Sequence, residues 1–226
     1  MLFFYHSQPM VGVFQESGAP VKLPRHRHGL TREAVRTSQS ARIIAATAEA
    51  VAEGGYAGTS VAAIVERAGV SRKTFYELFA DKEAAFLAAY SAVDTVIARM
   101  IDAANEHEEP RAMLGAGVRS FLGTLAEEPA FTHMLVIDAL GAGKRVLRRR
   151  AEAFREFVRV LAAPIELARA RDSSIPEPDE TTLLALIGGI NELVLQHLVA
   201  HEAATLRTLA PAVDILVERV CLPPAT

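Results

Sequence analysis

Residues 60–79 place the tightest constraint on how this chain folds. Ser60 is a helix-capping residue, and Val61, Ile64, Val65 and Ala68 follow it at the spacing of one helical face. Gly69 stops that helix, because glycine takes the left-handed exit without a steric cost. Two residues later Ser71 caps another helix, whose apolar face is Phe75, Leu78 and Phe79. The spacing predicts a compact helix-turn-helix. Upstream, Ala41, Ile44, Ala48 and Val51 predict a helix that starts at Thr37 and stops at Gly54-Gly55. Downstream, Asp81 caps a fourth helix running through Phe86, Leu87, Tyr90, Val93 and Ile97 to about Asn105. At 1.5 Å per residue it would be on the order of 37 Å long.

Beyond Pro110 the pattern stays helical, with segments expected at 111–127, 129–140, 143–171, 178–202 and 205–221. No alternating strand run and no internal repeat interrupts them. Aromatic residues are only 6% of the chain while half is apolar, so Ala, Leu, Val and Ile supply the core, a composition that favours helices. The expectation is an all-α protein of about nine helices. Residues 1–36 read as a flexible basic arm (Lys22, Arg25, His26, Arg27, His28, Arg32, Arg36), residues 37–82 as a head, and residues 83–226 as a larger helical body.

The lone cysteine, Cys221, excludes an internal disulfide framework and suits a reducing cytoplasm. The most apolar stretch, 183–200, is interrupted by Asn191, Glu192, Gln196 and His197, so no membrane span is read. The start of the chain lacks the form of a signal peptide. Net charge is −3, but residues 1–80 hold nine Lys/Arg against six Asp/Glu, whereas the remainder holds 15 against 21. A basic head on an acidic body suits a protein that brings only one end near phosphates.

The head carries the residues for such a partner. A major groove about 12 Å wide admits one helix, whose N-terminal residues face the base edges. Directly after the Ser71 cap come Arg72, Lys73, Thr74 and Tyr76. Arg and Lys can pair with guanine O6/N7, Thr with a base edge or a phosphate, and a tyrosine hydroxyl with a phosphate. Over about residues 38–95 the chain resembles the TetR family of transcriptional repressors. The resemblance rests on Ile43-Ile44-Ala45-Ala46, Gly54-Gly55-Tyr56-Ala57-Gly58-Thr59-Ser60, Ala68-Gly69-Val70-Ser71-Arg72-Lys73-Thr74-Phe75-Tyr76-Glu77-Leu78-Phe79 and Asp81-Lys82-Glu83. It implies that Thr59, Ser60, Tyr76 and Lys82 meet phosphate and that Ser71, Arg72, Lys73 and Thr74 stand at the groove. It further implies a repressor released from a near-palindromic operator by a small apolar or amphipathic ligand. A ligand-independent architectural DNA-binding protein is the alternative, and an all-helical enzyme a remoter one.

In the body, Met100, Met113, Phe121, Phe131, Met134, Phe154 and Phe157 are candidates to line a ligand cavity. The last two helices have broad apolar faces, and Leu186, Ile190, Leu193, Leu209, Val213 and Leu216 are expected at a homodimer interface built from four helices. Gly188 and Gly189 would allow close approach there. The run Lys144, Arg145, Arg148, Arg149, Arg150 could receive an anionic ligand such as an acyl-coenzyme A, or be a solvated face laced with Glu152 and Glu156. His197 and His201, four residues apart, lack a third metal ligand at obvious spacing, so no metal and no cofactor are expected. Gly141-Ala142-Gly143-Lys144 lacks the first glycine and the Ser/Thr of a phosphate loop, and no catalytic motif is found.

Overall fold

The computed structural model describes residues 31–222, all of whose regular elements are helical. The flexible basic arm expected over residues 1–36 falls mainly on residues 1–30 and so lies outside them. The chain divides between Ala89 and Tyr90 into two compact units, a head and a body.

In the head, α1 covers Arg32–Gly58, α2 Val61–Ala68, α3 Arg72–Leu78, and α4 Lys82–Tyr90 carries the chain to the boundary. Helix α1 begins five residues before the expected start. Thr31 caps it, its hydroxyl accepting from the Ala34 N–H at 3.1 Å, and Glu33 complements the helix dipole in the first turn. Residues 32–36 therefore belong to the head and not to the arm. The regular helix ends where expected, because Gly55 takes φ 69°, ψ 161°. Ile43, Val51, Ile64, Phe75 and Phe86 are fully buried and form the head's core, and the Tyr56 ring meets Phe86 edge-on at 5.1 Å.

The body comprises α5 Val93–Asn105, α6 Pro110–Glu127, α7 Pro129–Val136, α8 Lys144–Arg171, α9 Glu180–Ala200 and α10 Ala210–Cys221, with short 3-10 segments at Asp138–Leu140 and Ala203–Leu209. Among the described residues this makes ten α-helices, because the expected fourth helix is divided. At Ser91 and Ala92 the chain makes a tighter turn, with Asp94 N–H donating to Ser91 O and Thr95 N–H to Ala92 O, both at 3.0 Å. The last expected helix is likewise preceded by a 3-10 segment. Thr205 and Thr208 hydroxyls there bond carbonyls three residues back, and Pro211 lets α10 start afresh. Helix α6 is the body's centre: it packs against α5, α8, α10 and the 203–209 segment.

Candidate DNA-reading surface and ligand cavity

The turn between α2 and α3 is built from capping interactions. Ser60 Oγ accepts from the Ala63 N–H at 3.2 Å at the start of α2. Gly69 (φ 60°, ψ 39°) ends it, with the Gly69 and Val70 amides donating to the Glu66 and Val65 carbonyls. Ser71 Oγ accepts from the Thr74 N–H at 3.0 Å and lies 2.9 Å from the Thr74 hydroxyl. Two arginines of α1 fasten this assembly. Arg42 Nη1 donates to Ala68 O at 2.9 Å, placing a cation on the carbonyl end of α2, and Arg36 Nη2 donates to Glu77 O at 3.2 Å. Neither role was legible in the sequence, where Arg36 reads as part of the arm.

This frame leaves one face of α3 free. Arg72, Lys73 and Tyr76 are exposed, and Phe75 beneath them is fully buried, its ring edge-on to Tyr76 at 5.4 Å. Lys73 is 3.8 Å from Glu77 with 86% of its side chain exposed, a pairing too solvated to hold it. Arg72 makes no ion pair among the described residues. Ser60 and Ser71 stand exposed at the two helix starts, and Thr74 is half-buried.

Two expected phosphate contacts are placed differently. Thr59 is buried, and its hydroxyl donates back to Ala50 O (3.0 Å) and Gly55 O (2.9 Å), so its only proton is already engaged. Lys82 turns toward the loop ahead of α2. Its Nζ donates to Tyr56 O at 2.6 Å and Thr59 O at 2.8 Å and lies 4.2 Å from the centre of the Tyr56 ring. At most one of its three donors is left for a phosphate. Both residues hold the loop that presents Ser60.

In the body an apolar cavity of about 60 Å³ is lined by α5 to α10 and by Tyr90. Met100, Phe121, Phe154 and Phe157 line it as expected, Phe121 and Phe157 meeting edge-on at 5.6 Å. Met113 instead lines a separate surface groove beside Ile97, Ile101 and Pro164. Phe131 and Met134 are buried but do not line it; from α7 the wall takes Leu135 and Val136. Tyr90 and Asn191 are the polar residues in the cavity wall. Burial pushes the Tyr90 hydroxyl up to about 12, partly offset by Arg150 and Arg149.

The interface candidates divide as well. Leu186, Ile190 and Val213 are buried within the protomer, Ile190 and Val213 in the cavity wall, and so are unavailable to a partner. Leu209 and Leu216 are half-buried and Leu193 is 39% exposed. The outward apolar residues missed in the sequence are Val199, at 72% exposure, and Ile215, at 54%. Helix α9 is apolar nearly all round, so its periodicity does not separate an inner from an outer face. A Cβ built on Gly188 or Gly189 would meet nothing within 4 Å. The His197 and His201 rings lie 4.8 Å apart and His197 Nε2 is 2.8 Å from Thr205 Oγ1; no third metal-binding side chain joins them among the described residues.

An all-α chain that presents a free cationic helix from a helix-turn-helix has the form of a transcription regulator. Residues 43–89 match the family of bacterial regulatory proteins, tetR family, and the head is a TetR-type DNA-binding domain. No curated protein matches the chain. Among solved structures, the fatty acid degradation regulator FadR of Bacillus halodurans is 18% identical, with a TM-score of 0.71 over 79% of this chain and 94% of that one. The FadR regulator of Bacillus subtilis, solved in complex with stearoyl-CoA, is 18% identical, with a TM-score of 0.66 over 80% and 97%. A tetR-family regulatory protein from Rhodococcus RHA1 is 20% identical, with a TM-score of 0.65 over 81% and 96%. At these identities the likeness is one of fold.

Proposed function

We propose that this chain is a homodimeric repressor that binds a near-palindromic operator through α3 and leaves it when an apolar or amphipathic ligand enters the body. The observation that carries the reading is the exposed face of α3, where Arg72, Lys73 and Tyr76 stand free on a helix fixed from behind by Phe75, Arg36 and the Ser71 cap. Side chains anchored on a rigid helix with their polar ends in solvent are what base and phosphate contacts require. Ser60 and Ser71 add hydroxyls at the two helix starts, where backbone N–H groups favour phosphate.

A second copy of the chain is the partner that suits the outer faces of α9 and α10. Only 28% of the most apolar window of α9 is buried in the protomer; Leu193 and Val199 of α9 and Ile215 of α10 are exposed, and the surface at Gly188 and Gly189 is open. The exposed, polar Glu192 and Gln196 along α9 fit a protein partner better than a bilayer. The FadR structure holding stearoyl-CoA supports an acyl ligand, and the aromatic and aliphatic cavity wall agrees with an apolar chain. At about 60 Å³ the cavity has well under half the space of an engineered cavity that admits benzene. Such a ligand therefore has to displace helices to enter, among them α5, which contributes Val93 and Met100 to the wall and continues from α4 through the turn at Ser91 and Ala92.

Footprinting on the DNA flanking the coding sequence tests the reading. The expected result is a protected near-palindrome with half-sites about one helical turn or more apart. No protected site, or protection unaltered in a double Arg72→Ala, Lys73→Ala variant, would overturn it.

A further inference from the structure

Five cations open α8, and the structure sorts them. Lys144, Arg145 and Arg148 are exposed. Arg149, with 16% of its side chain exposed, is matched by two carboxylates, bonding Asp94 of α5 and approaching Glu156 at 3.4 Å. Arg150 is unlike the rest. It is half-buried, its guanidinium lies 4.2 Å from the centre of the Phe154 ring, and it makes no ion pair among the described residues. Its Nε–H is buried without a hydrogen-bond acceptor. Leaving that one donor unpaired is costly, and a partner reaching the guanidinium would satisfy it.

The position of Arg150 says what that partner is joined to. Phe154, Phe157 and Leu161, four, seven and eleven residues further along α8, all line the cavity, and Arg150 continues their stripe by one turn. Tyr90, which also lines the cavity, feels the charge of Arg150 ahead of any other charged group. The guanidinium is thus seated on the Phe154 ring, at the end of the stripe that lines the apolar cavity. Stacked on a ring, it keeps its edge donors for a planar anion, which it can bind bidentately.

We propose that Arg150 is the head-group residue of the ligand site, and that the ligand is an apolar chain ending in an anionic group, the chain entering the cavity and the anion seating on the guanidinium. The inference rests on the ligand reading above and narrows it to one charge class. A free fatty carboxylate and the phosphates of an acyl thioester share this chemistry.

Calorimetry on the full chain with decanoate, decanoyl-coenzyme A and decanol separates them. The wild-type protein should bind at least one of the two anions tenfold or more tightly than decanol, about 1.4 kcal/mol. Arg150→Gln should cut that advantage to threefold or less while leaving decanol unchanged, and Arg150→Lys should retain part of it. The anion whose advantage disappears identifies the source. Failure of both anions to bind, equal affinity for all three compounds, or an undiminished advantage in Arg150→Gln would overturn the assignment. If Arg150→Gln shows no cooperative melt, Arg150→Lys decides, since it keeps the charge and loses the fork, and an undiminished advantage there overturns it equally. Gel shifts with ligand-free protein score the regulator reading separately: loss of DNA binding refutes that reading and leaves the head-group comparison intact.

Discussion

Lys82 and Thr59 support the proposed DNA-reading face by holding the loop ahead of α2. The ammonium of Lys82 bridges the Tyr56 and Thr59 carbonyls, and the Thr59 hydroxyl closes onto Ala50 and Gly55. Hydrogen bonds to a charged donor contribute about 1.5–3 kcal/mol, and the partial exposure of Lys82 puts it at the lower end. Lys82→Ala and Thr59→Val should each lower head stability by about 1–2 kcal/mol in denaturant unfolding. Arg72→Ala and Lys73→Ala should leave that unfolding curve alone and each weaken operator binding by about 1–3 kcal/mol. A Lys82→Ala variant with wild-type unfolding and a reduced salt slope of binding would restore Lys82 to the phosphate contacts. The outward residues were legible in the sequence because a cap and two buried aromatics orient α3 by local spacing alone. The inward roles were not, because the carbonyls that engage Lys82 lie 23 and 26 residues away and those that engage Arg42 lie 26 and 27 away.

Helices α9 and α10 each present two faces, and substitutions on the two should fail in different ways. Leu193→Arg and Ile215→Arg place charge on the outer faces, so sedimentation should find folded monomers or insoluble chain. Ile190→Ala empties the cavity wall and should destabilise the fold by about 2–5 kcal/mol while leaving the dimer in place. A soluble dimer from both arginine variants would move the interface elsewhere. Most element boundaries could be read beforehand, since Ser60, Ser71, Gly69, Pro129 and Gly143 punctuate the chain by their own stereochemistry. The division of the fourth helix could not, because residues 86–97 keep an unbroken apolar period through Ser91 and Ala92. The burial of Leu186 and Val213 was hidden for a related reason: periodicity identifies apolar positions but not which neighbour covers them.

At the scale of the whole molecule, the proposed release from DNA would be a linkage between two sites. A ligand that prefers the DNA-free conformation about 100-fold supplies about 2.7 kcal/mol, and operator DNA must then weaken the ligand by the same factor. Calorimetry with decanoyl-coenzyme A in the presence and absence of operator tests this, and equal affinities would exclude release by linkage. The narrowness of the cavity adds a dimension of time. With about 60 Å³ available, the proposed entry of an acyl chain requires the protein to open first. Association measured by stopped flow should therefore rise with ligand concentration and then level off at the rate of opening, whatever the chain length. A rate that climbs linearly without a plateau would mean the entrance stands open. With a plateau, the delay between the appearance of the ligand and the response of the promoter is set by how often the helical body breathes, and no surplus of ligand can shorten it.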